Sequence, residues 1–300
     1  MSNGNSNSAG VVVAAFGNRG RLETADGTTL RYLLKGRHLR TVCGDRVMWK
    51  RPLQSHEMLI TEVLPRDNAL QRLDAKGRVE TVAANLTQSI VVLAPAPQPN
   101  LFLVDRFLCA AALMDCSPLL VCNKTDLKLD DLFEAALDEY DRLGYPVVRT
   151  CVTPDSNVVE LARLLTGHTS ILVGQSGVGK SSLINALVGD SIAAVDALSE
   201  VSAEGKHTTS ASVMHRLADG ARLIDSPGVR EFVPNISVSG EVQLGFPEIM
   251  AMAGNCRFAN CQHQREPDCA IKQACANSDI SPRRYASYKR LKNITPTGSV

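Results

Sequence analysis

The chain has 300 residues, 44% hydrophobic and 21% charged, with a formal net charge of +1. That supplies enough apolar material for packed cores, argues against a disordered or fibrous protein, and fits two or three domains. The net charge hides a segregation: residues 1–84 carry +5, residues 85–255 carry −9 and residues 256–300 carry +5. A nucleic-acid backbone would attract the two ends and disfavour the centre.

The first ten residues, MSNGNSNSAG, are polar and read as a frayed start. They lack the cationic-then-apolar pattern of a secretion signal, and no apolar run approaches the roughly eighteen residues a membrane span needs. A cytoplasmic protein, with no membrane partner, is expected. From 11 to 84 the chain reads as short β segments with basic turns. VVVAAF, the hairpin RLETADGTTLRYLL, TVCGDRVMWK and EMLITEVLPR give about five strands. A small oligonucleotide-binding-type (OB-like) barrel fits, and an SH3-like barrel would give a similar pattern.

Residues 85–235 change character. SIVVLAPA and PLLVCNKTD are continuous apolar runs, as buried parallel strands require, and LFLVDRFLCAAALMD between them has helical periodicity. A second amphipathic helix over 129–144, the strand PVVRTC and the helix NVVELARLLTG follow. Then come TSILVGQSGVGKSSLINALVG, read as strand, loop and helix, and ARLIDSPGV, read as strand and loop. This alternation predicts a doubly wound α/β domain.

That domain carries three linked motifs. Gly174, Gly179, Lys180 and Ser181 fit GxxxxGK[ST] between an apolar strand and a helix, the context a phosphate loop demands. Backbone amides of Gln175, Ser176, Gly177, Val178 and Ser182 complete the cradle, Lys180 neutralises β/γ oxygens, and Ser181 is a ligand for Mg²⁺. Asp225 and Gly228 form DxxG at a strand end, with Asp225 on the Mg²⁺ side and Gly228 sensing the γ-phosphate. Between them, EGKHTTSAS offers a switch threonine that would also reach Mg²⁺, Thr208 or alternatively Thr209. Many GTPases place a water-orienting Gln after DxxG, but here Val229 stands in that place. His207 is the nearest substitute in sequence, either that catalytic group or a solvated side chain.

Asn123, Lys124 and Asp126 spell NKxD at the end of an apolar strand. The carboxylate of Asp126 suits guanine N1–H and N2–H, which adenine lacks, and this selects GTP and GDP over adenine nucleotides. Asn123 would brace the phosphate loop, and the stem of Lys124 would cover the base. A supporting base-side loop is expected near Cys151 and Val152. NKxD precedes the phosphate loop here, the reverse of the common order. Joining a domain's neighbouring termini and cutting elsewhere preserves a fold, so a circular permutation accounts for it.

Residues 236–300 read as helices and loops around a cysteine cluster. Four of the nine cysteines lie within 256–275, and such a cluster without a secretion signal points to metal rather than disulfides. Cys256, Cys261, His263 and Cys269 form C-x4-C-x-H-x5-C, a four-ligand set for one structural Zn²⁺, with Cys275 a lower-ranked substitute. Beyond it, Arg283, Arg284, Lys289, Arg290 and Lys292 alternate with Tyr285 and Tyr288. This suits RNA contact, or else a helix whose tyrosines pack on the metal module.

Together these pieces resemble one family, the circularly permuted small ribosomal subunit-dependent GTPases of the A type. VCGDRV, AAN, NKTD, GQSGVGKSSLINAL, GKHTT, DSPG, the Cys/His cluster and RRYASY occur in the family's order, spanning about residues 11 to 292. The resemblance implies an N-terminal OB-like barrel (11–84), a permuted GTPase domain (85–235) and a helical zinc-binding domain (236–300). It implies GTP hydrolysis with Mg²⁺, stimulated by the small ribosomal subunit (30S) and its rRNA, late in that subunit's maturation, by a monomeric protein. The family's switch histidine falls on His207. Two departures stand out: Cys151-Val152 replaces the usual Ser-Ser or Ser-Ala, and Ser210 stands where Thr is usual.

Overall fold

The computed structural model describes residues 7–36, 38–53, 55–74, 76–152, 158–192, 212–217, 220–226, 236 and 239–294. Its first five strands are β1 (Ser8–Phe16), β2 (Arg19–Thr24), β3 (Thr29–Leu34), β4 (Arg46–Lys50) and β5 (Met58–Val63). They pair in the order β1-β2-β3-β5-β4, and β4 returns to β1, closing a barrel. Closure removes free edges, and its β3–β5 contact is parallel. Val12, Leu22, Tyr32, Val47, Met58 and Ile60 fill the interior. β1 starts inside the segment expected to be frayed, because Ser8, Ala9 and Gly10 pair with Trp49, Met48 and Val47. Trp49 Nε1 also donates to the Ala9 carbonyl at 3.1 Å.

A hairpin of β6 (Ala69–Leu73) and β7 (Val79–Ala84) follows the barrel. The VCGDRV and AAN stretches meet there. Gly44 has φ +92°, and a Cβ on it would fall 2.0 Å from the Ala84 carbonyl oxygen, so only glycine fits. Asp45 is fully buried and binds Arg66 through two bonds of 2.6 and 2.9 Å. Asn85 Nδ2 donates to the Gly44 carbonyl at 2.8 Å. These two motifs form the joint between the barrel and the α/β domain.

The α/β domain is built on parallel strands β8 (Gln88–Leu93), β9 (Ser117–Cys122), β10 (Val147–Arg149), β11 (Thr169–Gly174) and β13 (Arg222–Asp225), with antiparallel β12 (Ser212–Arg216) beside β13. Their spatial order is β10-β9-β8-β11-β13-β12. Alternate residues face opposite sides, and both sides are covered, hence the continuous apolar runs. Val91, Leu93, Leu120, Cys122, Ile171 and Val173 pack on α1 (Leu101–Leu113) and α2 (Asp131–Arg142). Ile90, Val92, Leu119, Val121 and Leu172 pack on α3 (Val158–Leu164) and α4 (Lys180–Ile192). Asn100 and Asp130 cap α1 and α2, accepting from the N–H groups of Leu103 and Phe133. Asn100 and Asp130 are short polar side chains suited to such N-terminal amides.

The barrel and this sheet are continuous. β1 pairs antiparallel with β12 through Ala14–Val213 and Ala15–Ser212. A register shift between Val12 and Ala14 marks the bend where β1 passes from the barrel to the domain sheet. The third unit comprises a 3₁₀ segment (Ser239–Gly245), α5 (Pro247–Ala253), α6 (Ala270–Ala276) and α7 (Pro282–Ile294). Phe246, Ile249, Ile271, Ile280, Tyr288 and Leu291 form its core, which reaches Cys109 on α1.

Candidate nucleotide site and metal centre

All five parallel strands end at one rim of the sheet, the edge where α/β domains hold ligands. Gly174 ends β11, the loop 175–179 follows, and Lys180 opens α4, so amides and a helix N-terminus converge there. The Lys180 ammonium lies across this loop, donating to the carbonyls of Gly174 at 2.8 Å and Gln175 at 2.7 Å. Gln175 accepts from the Asn100 N–H at 3.1 Å, tying the loop to the start of α1. The Val178 side chain is buried in the α3/α4 core, which leaves its backbone for a ligand. Ser181 is half-buried, while Ser176, Gly177 and Ser182 are exposed.

The NKTD loop meets the phosphate loop directly. β9 stands two strands from β11, with only β8 between them. The buried Asn123 donates from Nδ2 to the Val178 carbonyl at 2.9 Å. The Lys124 ammonium binds the carbonyls of Gly177 at 2.6 Å and Ala96 at 2.9 Å. Gly179 explains the spacing: its φ is +94°, and a Cβ would fall 2.3 Å from Asn123 Nδ2. Asp126 is exposed at the outer end of the loop, with Cys151 Sγ 3.0 Å from its Oδ1. The two loops that come in reversed order along the chain therefore share one rim and one hydrogen-bonded joint.

Asp225 ends β13 at the same rim, next to β11. Ser226, beside it, shares a 2.7 Å hydrogen bond with Ser212 at the start of β12. His207, Thr208, Thr209, Gly228 and Val229 lie outside the described residues. One brace is not singled out by the sequence motifs: Thr150 Oγ1 donates to Asn123 Oδ1 at 3.2 Å. Its place at the end of the apolar strand PVVRT, on the rim, was the available signal.

In the C-terminal unit, the ligand atoms of Cys256, Cys261, His263 and Cys269 all lie within 4.8 Å of one another. Cys256 Sγ and Cys269 Sγ are 3.9 Å apart, and each is close to His263 Nδ1, at 3.4 and 3.5 Å. With metal–sulfur bonds of about 2.3 Å, a tetrahedral ion would set its sulfurs about 3.8 Å apart. The residues fit such an ion, with His263 binding through Nδ1. Burial lowers the His263 imidazole, keeping it neutral as a ligand must be, and pushes the Cys261 thiol up to about 12. A divalent cation supplies the positive charge that holds such thiols as thiolates. Cys275 is not part of this group.

The basic run on α7 requires a correction. Arg284 is fully buried and binds Asp105 of α1 at 2.7 Å and Glu248 at 2.8 Å. Arg283 binds Asp105 at 3.0 Å and Glu139 at 2.5 Å. Lys292 is buried and pairs with the Gln262 side chain. The tyrosines serve the metal module, since Tyr285 and Tyr288 donate to the carbonyls of His263 and Gln262. Arg283 and Arg284 thus hold the third unit to the α/β domain, while Lys292 and the tyrosines hold α7 to the metal module; Arg290 stays exposed over the Phe102 ring.

A phosphate loop at the centre of a parallel sheet, joined to an NKxD loop that precedes it in the chain, defines a circularly permuted P-loop GTPase. The family model described as RsgA GTPase matches residues 63–234. Small ribosomal subunit biogenesis GTPase RsgA from Azotobacter vinelandii is 40% identical over 295 residues, covering 96% of this chain and 85% of that protein. The RsgA of Pseudomonas aeruginosa strain LESB58 is 40% identical over 290 residues, with the same coverage. Among solved structures, YjeQ from Thermotoga maritima superposes with a TM-score of 0.76 at 28% identity, covering 96% of this chain and 98% of that one. YloQ, a circularly permuted GTPase, shares the fold with a TM-score of 0.73 at 23% identity, covering 99% of each chain. The chain belongs to the RsgA GTPase family and is a GTP hydrolase.

Proposed function

We propose that this protein is a GTP-driven assembly factor of the small ribosomal subunit. Asp126 reads the guanine edge, Asn123 and Lys124 brace the base against the phosphate loop, and residues Gly174–Ser182 with Lys180 hold the phosphates. Ser181 and Asp225, with Thr208 read from the sequence, would hold Mg²⁺, which neutralises β/γ oxygens when bound. Water attacks the γ-phosphorus, the bond to the bridging oxygen breaks, and GDP and inorganic phosphate leave. Val229 cannot orient that water, so turnover waits for the subunit to bring another group to it, with His207 the candidate beside Thr208. Zn²⁺ in the Cys256–Cys261–His263–Cys269 set is structural, because four protein ligands fill its shell.

The division of labour is barrel 11–84 and zinc domain 236–300 on rRNA, GTPase 85–235 between them, in a cytoplasmic monomer. The names of the relatives, which denote small-subunit biogenesis GTPases, support this reading. So does the charge segregation along the chain. The observation that supports it best is the Asn123–Val178 bond, which ties the base loop to the phosphate loop. The test is phosphate release from GTP with and without purified small subunits, at several salt concentrations. Stimulation that falls as salt rises is expected, and turnover indifferent to subunits overturns the proposal. Lys180→Ala should abolish both basal and stimulated turnover.

A further inference from the structure

We propose that Ser212 and Ser226 are positioning residues for Asp225, their shared hydroxyl bond holding that carboxylate where it serves the Mg²⁺ bound with the nucleotide. The inference rests on the reading of Asp225 as the Mg²⁺-side residue. β13 pairs parallel with β11 as far as Ile224 opposite Ile171, so Asp225 and the phosphate loop leave neighbouring strands at one rim. Leu223 packs in the core beneath α3 and α4. Side chains alternate along a strand, so Asp225 points to that same side, where Ser181 stands at the start of α4. Ser212 faces the other side, in step with Met214, whose core also holds Ile224 and Cys43.

The last ladder pair before the rim is Val213–Asp225. Ser212 and Ser226 come next in the same register, and their hydroxyls meet at 2.7 Å. Such cross-strand hydroxyl pairs stabilise a sheet, and here the pair closes an end that would otherwise fray. Ser226 is buried, and among the described residues Ser212 Oγ is the one hydrogen-bond partner of its hydroxyl. Ser212 is in turn held from the barrel. It pairs with Ala15 of β1, and its carbonyl accepts from the Cys43 thiol at 3.0 Å. The bond therefore joins the strand end that carries Asp225 to one that the barrel holds. Backbone direction decides which rotamers are open to Asp225, and groups that serve a metal must be kept within about 0.5 Å of their working position.

The test measures the affinity of the full chain for a non-hydrolysable GTP analogue in magnesium chloride and in EDTA. The ratio of the two affinities is the Mg²⁺ contribution. Ser226→Ala and Ser212→Ala each lower that ratio by about three- to tenfold, the range expected for one net hydrogen bond, with affinity in EDTA unchanged. Ser212→Thr keeps the hydroxyl on a residue that suits a strand, and it retains the ratio. The Ser212→Ala/Ser226→Ala double variant leaves neither hydroxyl without its partner, so it regains stability in urea over the single variants. Its Mg²⁺ ratio nevertheless stays as low as theirs, because one shared bond is lost in all three. A ratio that tracks urea stability across these variants, single variants with a wild-type ratio, or a threonine variant behaving like alanine overturns the inference. Asp225→Asn lowers the ratio further than either alanine; Asp225→Asn with a wild-type ratio would instead overturn the Mg²⁺ reading beneath it.

Discussion

Arg284→Met tests how the third unit is held to the GTPase domain. Around it are three carboxylates, Asp105, Glu139 and Glu248, and two guanidiniums, Arg283 and Arg284. Methionine fills much of the volume but leaves one guanidinium against three acids. Asp105, with a side chain at 0% exposure, keeps Arg283 and Tyr140, while Glu248 loses its only described ion-pair partner. The stacking of Arg284 on the Phe246 ring, 4.3 Å from Cζ to centroid, is lost as well. Breaking a buried pair on one side costs about 3–5 kcal/mol, a large share of the roughly 5–15 kcal/mol that holds a domain. Asp105→Asn should cost less, about 1.5–3 kcal/mol, because two acids and two bases remain. Two of the five tyrosines, Tyr140 and Tyr145, sit at this junction and two more, Tyr285 and Tyr288, pack within the attached third unit, whereas Trp49 is in the barrel. Urea unfolding followed by tyrosine near-UV circular dichroism therefore reports the junction and the third unit, and tryptophan fluorescence reports the barrel. A loss below about 1 kcal/mol for Arg284→Met, or a larger loss for Asp105→Asn, would refute the reasoning.

Three further outcomes are expected. Gly44→Ala should destabilise the barrel–hairpin joint by about 2–3 kcal/mol, from positive φ and the clash with Ala84, read as an earlier fluorescence transition in urea. Chelation should release one zinc ion per chain and expose Cys256, Cys261 and Cys269 to a thiol reagent, while GTP affinity changes little; equal thiol counts with and without chelator would contradict the four-ligand set. Glu266 accepts from the N–H groups of Gln262, Gln264 and Arg265 at 2.8, 2.9 and 3.0 Å. Its own backbone N–H, together with those three, holds its carboxyl down to about 2, against 4.5 for a free side chain. The carboxyl is depressed in the folded state, so its stabilisation is complete above pH 4.5 and fades as pH falls toward 2. The stability gap between wild type and Glu266→Gln should therefore be widest near neutrality and close on acidification.

Much of the fold and site was legible in the residues. Apolar runs alternating with helical periodicity give the doubly wound sheet, and motif spacing marks its rim, because both are local patterns. The reversed order needed no special device: β8 sits between β9 and β11, so Asn123 reaches Val178 whichever loop comes first. Long-range partners were not legible. Arg283 and Arg284 read as RNA contacts because their charge is visible in sequence, while the acids that neutralise them, Asp105 and Glu248, are distant in the chain. The CGD and AAN stretches marked a family without a reason, and the reason is the Gly44–Ala84 approach and the Asn85–Gly44 bond. The β6–β7 hairpin is not legible in the sequence because its exposed residues, including Leu73 and Val79, blur the alternation that marks a strand.

The two residue pairs by which β1 reaches β12 set a rule for truncation. A fragment begun after the hairpin would retain the nucleotide loops yet leave β12 as a raw border, its N–H and C=O groups open to any passing strand. Such a fragment would be prone to self-association, so the barrel is also the GTPase domain's protective margin.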